Sequence, residues 1–193
     1  MRIISGRNRS RVLLSPEGMV TRPITDRVKL ALFNMLMGAT EEAVVADLFC
    51  GTGSMGLEAL SRGARLCYFA DADASALERL KRNIQALGEG ERSRVWRGDI
   101  LARLAGWLTE VHEKIDLAFV DPPYEMAQTW DWAQAGAAIF GPLAGKLSPD
   151  GIVIFRCRRE AKVPDELTGL RVRRRRDYGK MSLLFLDPAQ EET

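Results

Sequence analysis

Asp121-Pro122-Pro123-Tyr124 is the stretch of this chain best equipped for chemistry. The apolar run Leu117-Ala118-Phe119-Val120 delivers it at the end of a buried strand. Two prolines then lock the backbone and remove two N–H donors. What remains is a rigid corner offering a carboxylate, free carbonyls and an aromatic face. Such a corner suits a flat ring that bears an amine, because it accepts hydrogen bonds from the amine and stacks on the ring. A Pro-Pro turn after a strand is commonly structural, so the chemical reading needs a second feature.

That feature lies upstream. Val44-Val45-Ala46-Asp47-Leu48-Phe49 reads as a strand, followed by Cys50-Gly51-Thr52-Gly53-Ser54-Met55-Gly56 and a helical stretch. The G-x-G-x-x-G string permits a tight turn, close approach of backbone to ligand and close packing of helix on strand. Alone it does not name the ligand. Asp47 helps to do so. A carboxylate ahead of the loop would repel the pyrophosphate of a dinucleotide and attract the sulfonium and ammonium of S-adenosylmethionine. The structural alternative is that Asp47 bonds loop amides, and both roles are compatible. Asp71, ending the next strand, can accept both ribose hydroxyls of any adenosine cofactor. Asp73 reads as a helix cap. Asp99, after the third strand, is either an acceptor for the adenine amine or another cap.

The elements that must position these groups follow a regular order. Thr25 or Asp26 caps a helix running towards Gly38. Strands are expected near 44–49, 66–70, 94–97, 116–120 and 152–157. Helices are expected near 54–62, 74–87, 100–111 and 130–146. Alternating strand and helix implies a parallel sheet covered on both faces. Leu170–Arg176 and Met181–Leu186 add a terminal antiparallel hairpin. The expected fold is therefore α/β, Rossmann-like of the class I methyltransferase kind, with a seven-stranded mostly parallel sheet. Residues 2–14 alternate apolar and basic side chains and read as a small β appendage. The division expected is 1–22 for this basic segment and 23–193 for the main domain.

Composition narrows the function classes. Hydrophobic residues make up 46% and charged residues 28% of 193 positions, as in an ordinary globular chain. Net charge is only +2, yet basic side chains cluster. Arg2, Arg7, Arg9, Arg11, Arg22, Arg27 and Lys29 crowd the first 30 residues, and Arg171 and Arg173–Arg176 form a second group. Two such clusters point to a nucleic-acid partner. Three cysteines without C-x-x-C spacing and one histidine argue against a metal site and a disulfide framework, and fit a cytoplasmic protein. No apolar stretch is long enough to span a bilayer, and no secretory signal is read at the N-terminus.

In this order the motifs resemble those of the bacterial 16S rRNA (guanine-N2)-methyltransferases. The resemblance runs from Met1-Arg2-Ile3-Ile4-Ser5-Gly6 through Thr21–Val28 with Ala31-Leu32-Phe33-Asn34. It continues through Asp47–Gly53 and Gly56–Gly63 to Val120–Tyr124 and Tyr178-Gly179-Lys180. Ile24 departs from the family's second threonine, and Ala74 and Ser75 from its polar pair after Asp73. The resemblance implies transfer of a methyl group from S-adenosylmethionine to N2 of one guanine of small-subunit ribosomal RNA. It implies that Asp47, Gly51 and Gly53 hold the methionine part of the cofactor, with Thr25 and Asp26 closing over it and Phe49 also in the cofactor site. Asp71 would hold the ribose and Asp99 the adenine. Asp121, Pro122 and Tyr124 would hold the guanine. Arg7, Arg9, Arg11 and Arg22 would dock the RNA, expected within a partly assembled small subunit, with the protein acting as a monomer without metal. An adenine-N6 methyltransferase is the nearest rival, since the same corner serves exocyclic amines generally. A glutamine methyltransferase usually has Asn in place of Asp121. A nucleotide-binding oxidoreductase conflicts with Asp47 and the proline corner. A non-catalytic RNA-binding module of the same fold is the rival from another class.

Overall fold

A computed structural model describes residues 1–15 and 24–189. Arg22, within 16–23, lies outside the described residues. The chain forms two compact units, one ending at Gly98 and the other beginning at Asp99.

The first unit contains α1 (Asp26–Met35), β1 (Val44–Leu48), α2 (Ser54–Ser61), β2 (Leu66–Asp71), α3 (Ala74–Leu87) and β3 (Ser93–Arg97). Its strands are parallel in the order β3-β2-β1, with Val44 opposite Leu66 and Cys67 opposite Ser93. Parallel neighbours require crossovers, which α2 and α3 supply. Thr25 caps α1, accepting from the Val28 N–H at 3.4 Å. Asp73 caps α3, accepting from Ser75 N–H at 2.8 Å, and Gly88 ends that helix at a φ of +69°.

Residues 1–15 belong to this unit. Their β character is limited to one antiparallel bridge, Arg2 to Val12. Side chains of the helices hold them. Glu58 of α2 is fully buried and accepts from the N–H groups of Ile4 at 2.7 Å and Ser5 at 3.0 Å. It also pairs with Lys29 Nζ at 3.3 Å and Arg62 Nε at 2.8 Å. Lys29, equally buried, donates to the Arg2 carbonyl at 2.7 Å. Burial pulls the Lys29 ammonium below its ordinary pKa, and Glu58 opposes that shift. Asn83 of α3 donates to the carbonyls of Leu14 at 3.2 Å and Thr52 at 3.0 Å, so it joins the N-terminal segment to the glycine loop.

The second unit contains α4 (Ile100–Thr109), β4 (Ile115–Val120), α5 (Tyr124–Gln128), α6 (Trp132–Ala135), α7 (Gly141–Lys146), β5 (Leu147–Arg158), β6 (Glu166–Leu167), β7 (Leu170–Tyr178) and β8 (Met181–Pro188). The strand order is β4-β5-β8-β7-β6. β4 and β5 are parallel, and β8 runs antiparallel to both β5 and β7, as the terminal hairpin requires. Gly179 turns the hairpin at a φ of +59°.

Two expectations need correction. There are eight strands among the described residues rather than seven, because the two-residue β6 pairs with β7. A segment so short carries no readable periodicity. The helix expected over 130–146 starts at Trp132 and widens to π-helical geometry over Gly136–Phe140 before α7. Thr168 sits where a Cβ on Gly136 would lie, at 2.4 Å, so the helix passes close to the chain before β7. An aromatic cluster packs within this unit: Trp130 stacks on Phe155 at 5.8 Å, and Phe140 meets Phe155 edge-on at 5.5 Å.

No described helix is long and apolar enough to cross a membrane. Cys50, Cys67 and Cys157 are free and buried. Burial raises all three thiols, Cys157 to about 11.

Glu58→Ala should destabilise the protein by about 3–5 kcal/mol in urea unfolding, because it leaves Lys29 buried and uncompensated. A loss near zero would show that the cluster is not a structural clamp. All three thiols should resist Ellman's reagent at neutral pH until the chain is unfolded. The Cys157 thiol is raised above its unfolded value. Its contribution to stability is therefore complete below 9.0 and lost as pH rises from there through about 11. Unfolding free energy followed across that window checks the sign, and the Cys157→Ala variant should lack the Cys157 contribution.

Candidate active site

The glycine loop is built by turning the chain sharply between β1 and α2. Phe49, Gly51 and Gly53 all have positive φ, at +59°, +54° and +86°. A phenylalanine in this region is uncommon, and such strain persists only where surrounding structure holds it. Two carboxylates do so. Asp71 at the end of β2 accepts from Gly51 N–H at 2.7 Å and from Asp73 N–H at 2.9 Å. Asp47, 1% exposed within β1, accepts from Gly56 N–H at 2.8 Å. Both acids therefore position the loop, the structural role foreseen for Asp47.

The three glycines differ. A Cβ on Gly51 would meet nothing within 4 Å. On Gly53 it would lie 2.4 Å from Leu80, and on Gly56 2.4 Å from the Phe69 ring and 2.6 Å from Cys67 Sγ. Gly51 leaves backbone open to a ligand, whereas Gly53 lets Leu80 of α3 approach the loop and Gly56 lets α2 pack closely on β2. An acidic, side-chain-free cradle fits a cofactor that presents cations and hydroxyl groups, and fits a pyrophosphate poorly.

Elsewhere in the first unit, Thr25 is the cap of α1 and Asp26 pairs with Arg2 Nε at 2.8 Å. The expected RNA-docking arginines are unequally available. Arg7 is bound by the buried Glu89, and Arg11 donates to the Ala86 carbonyl at 2.8 Å. Arg9 is exposed.

In the second unit, Asp99 caps α4, accepting from Leu101 N–H at 3.0 Å. The proline corner follows β4 and opens α5 at Tyr124. Asp121 is bound by the guanidinium of Arg156, a buried side chain near the C-terminal end of β5. The Tyr124 ring lies beneath two guanidiniums, with Arg156 at 5.3 Å and Arg158 at 5.4 Å from its centroid. Burial raises the Tyr124 hydroxyl above its ordinary pKa.

Sequence reasoning missed Arg156 and Arg158. Their signal was available: Gly151–Arg158 reads as a buried strand in which two arginines alternate with Phe155 and Cys157. A buried arginine requires an acid, and Asp121 is the acid that meets Arg156.

A parallel βαβ glycine-loop unit and an acidic proline corner ending a strand are features of the class I methyltransferase fold. Over its length the structure is similar to that of the Escherichia coli protein yhhF, with a TM-score of 0.81, 27% identity and 99% of each chain covered. The family model described as Conserved hypothetical protein 95 matches residues 1–187, and the chain belongs to that family. It is 32% identical over 179 residues to YlbH of Bacillus subtilis, covering 93% of this chain and 94% of the relative. It is 39% identical over 127 residues to ribosomal RNA small subunit methyltransferase D of Haemophilus influenzae, covering 64% of each.

The glycine geometry predicts graded effects. Gly51→Ala should cost about 1–2 kcal/mol, from the left-handed backbone alone. Gly56→Ala, with a backbone any residue adopts but no space, should cost about 1–3 kcal/mol by overpacking. Gly53→Ala combines both penalties and should be the least stable. Thermal melts of the three variants test the ranking, and equal melting temperatures would refute it.

Proposed function

We propose that this protein transfers a methyl group from S-adenosylmethionine to the exocyclic N2 of one guanine in small-subunit ribosomal RNA. The observation that carries the reading is the Asp121–Tyr124 corner, with its carboxylate set by Arg156 and its aromatic ring set by α5. Family membership and the name of the Haemophilus influenzae relative support ribosomal RNA methylation. The choice of guanine N2 rests on the motif resemblance.

S-adenosylmethionine supplies an electrophilic methyl on a sulfonium. The chain's residues have separate tasks. Asp47, Gly51 and Gly53 form the cradle for the methionine part, with Thr25 and Asp26 at its edge and Phe49 in the same cofactor site. Asp71 takes the ribose and Asp99 the adenine amine. Guanine N2 is a poor nucleophile because its lone pair is conjugated with the ring. Hydrogen bonds from the amine to the Asp121 carboxylate and the Pro122 carbonyl orient it and favour a more pyramidal nitrogen. Tyr124 stacks on the base. Correct placement of the reacting atoms contributes at most about 7–11 kcal/mol. Asp121 stabilises positive charge developing on nitrogen and accepts its proton.

The target base must be unstacked, and an RNA loop within a partly assembled subunit presents it at lowest cost. The basic 1–22 segment, ahead of the 23–193 methyltransferase domain, docks that RNA through Arg7, Arg9, Arg11 and Arg22; Arg9 is exposed, whereas Arg7 and Arg11 exchange Glu89 and the Ala86 carbonyl for phosphate.

Asp121→Asn should reduce methyl transfer by about 10²–10⁴-fold while cofactor affinity in calorimetry stays close to wild type. The assay is tritiated-methyl transfer to ribosomal RNA from cells lacking the protein, followed by nucleoside identification. Unchanged turnover refutes the role of Asp121, and N6-methyladenosine as product would replace guanine with adenine as target.

A further inference from the structure

The basic cluster of β7 is sorted by the sheet. Cross-strand register places Arg156, Leu183 and Arg176 in one row across β5, β8 and β7. The rows on either side are Ile154–Phe185–Arg174 and Arg158–Met181–Tyr178. Residues directly opposite one another share a face, so Arg156, Arg158, Arg174, Arg176 and Tyr178 lie on the same side of the sheet. The irregularity between Val172 and Arg174 is what brings Arg174 to this side. Without it, alternation from Arg171 would send Arg174 to the opposite face.

Ion pairs then separate the arginines. Arg171 is held by Glu166 at 2.8 Å, Arg173 by Asp187 at 2.9 Å and Arg156 by Asp121. Arg175, on the other face, is held by Asp177 at 3.2 Å and Ser182 at 3.0 Å. Arg174 and Arg176 are exposed and have no acidic partner among the described residues. They stand two residues apart on one strand, about 6.6 Å, a spacing close to that of successive phosphates in a nucleic-acid strand. Arg158 lies in the row beside Arg176, with Glu160 3.7 Å away and its Nε buried without a hydrogen-bond partner. Its guanidinium covers the Tyr124 ring. Arg158 also lines a cleft of about 290 Å³, together with Trp132, Glu160 and Lys162.

Ile154, Arg156, Leu183 and Phe185 on this face are buried, so its open part is Arg174, Arg176 and the half-buried row Tyr178–Met181–Arg158. We propose that this open part is an RNA-backbone surface separate from the N-terminal segment. Arg174 and Arg176 bind phosphates, Tyr178 offers an aromatic face beside them, and Arg158 leads the strand to Tyr124. Charge complementarity selects a polyanion, and continuity with the proline corner selects the substrate RNA itself. The inference deepens the proposed methyl transfer and rests on that reading for the identity of the RNA.

The test is the double variant Arg174→Gln/Arg176→Gln, with Arg174→Lys/Arg176→Lys as rescue and Arg103→Gln, on α4, as a charge control. The substrate is small-subunit ribosomal RNA, naked and within small subunits, from cells lacking the protein. Filter binding, methyl-transfer kinetics and melting temperature are measured for each. The Gln pair should raise KM for RNA about 10-fold, with kcat and adenosylmethionine affinity unchanged. The slope of log affinity against log salt should fall by about 1.4–1.8, the value for two lost phosphate contacts. The Lys pair should recover most of the loss, because a point charge suffices for a phosphate. RNA affinity unchanged in the Gln pair, or an equal loss in Arg103→Gln, overturns the surface. Wild-type protein that binds the RNA through this face but transfers no methyl group sinks the proposed function and leaves the surface standing.

Discussion

The close approach of α2 to the strands beneath it governs the first unit. Every residue of α2 after Ser54 is buried. On one side Gly56 leaves no space for a methyl group against Phe69 and Cys67. On another side Glu58 brings a negative charge into the interior, where it requires hydrogen-bond donors. The N-terminal segment supplies two amides, α1 supplies Lys29, and Arg62 completes the set. A helix held this tightly fixes the loop that precedes it. The positions of Asp47 and Asp71 relative to Gly51 and Gly56 follow from that constraint.

The second unit solves a different problem. A carboxylate at a strand end beside two prolines has lost backbone donors that would otherwise satisfy it. Arg156, rising from the adjacent strand, replaces them with a charge-assisted bond. The same guanidinium lies over Tyr124, so one buried side chain orients both the acid and the aromatic ring of the corner. Burial of Arg156 is tolerable because Asp121 and the Tyr124 face are its partners.

Much of this was legible from residue order. The spans of α2 and α3, β1 to β4 and the terminal hairpin lie close to those read from periodicity, because long amphipathic or uniformly apolar stretches carry their own signal. Thr25 and Asp73 were readable as caps from residue type. β6 was not readable, since two residues show no alternation. The π-helical stretch at Gly136–Phe140 was not readable either, because a contact with Thr168, distant in sequence, accompanies it. Arg7 read as a free cation, and only folding brings Glu89 to it from 82 positions away.

The sequence by itself determined the chemistry on offer: a glycine loop flanked by acids, an Asp-Pro-Pro-Tyr corner, two basic clusters and the alternation that builds a sheet. These are local properties of residue type and spacing. Tertiary structure decided which charges are spent and which remain. Pairing Asp121 with Arg156, burying Glu58 among four donors, and turning Arg174 and Arg176 to one face depend on strand register and long-range packing. Register is a relation between distant segments, and no window of sequence contains it.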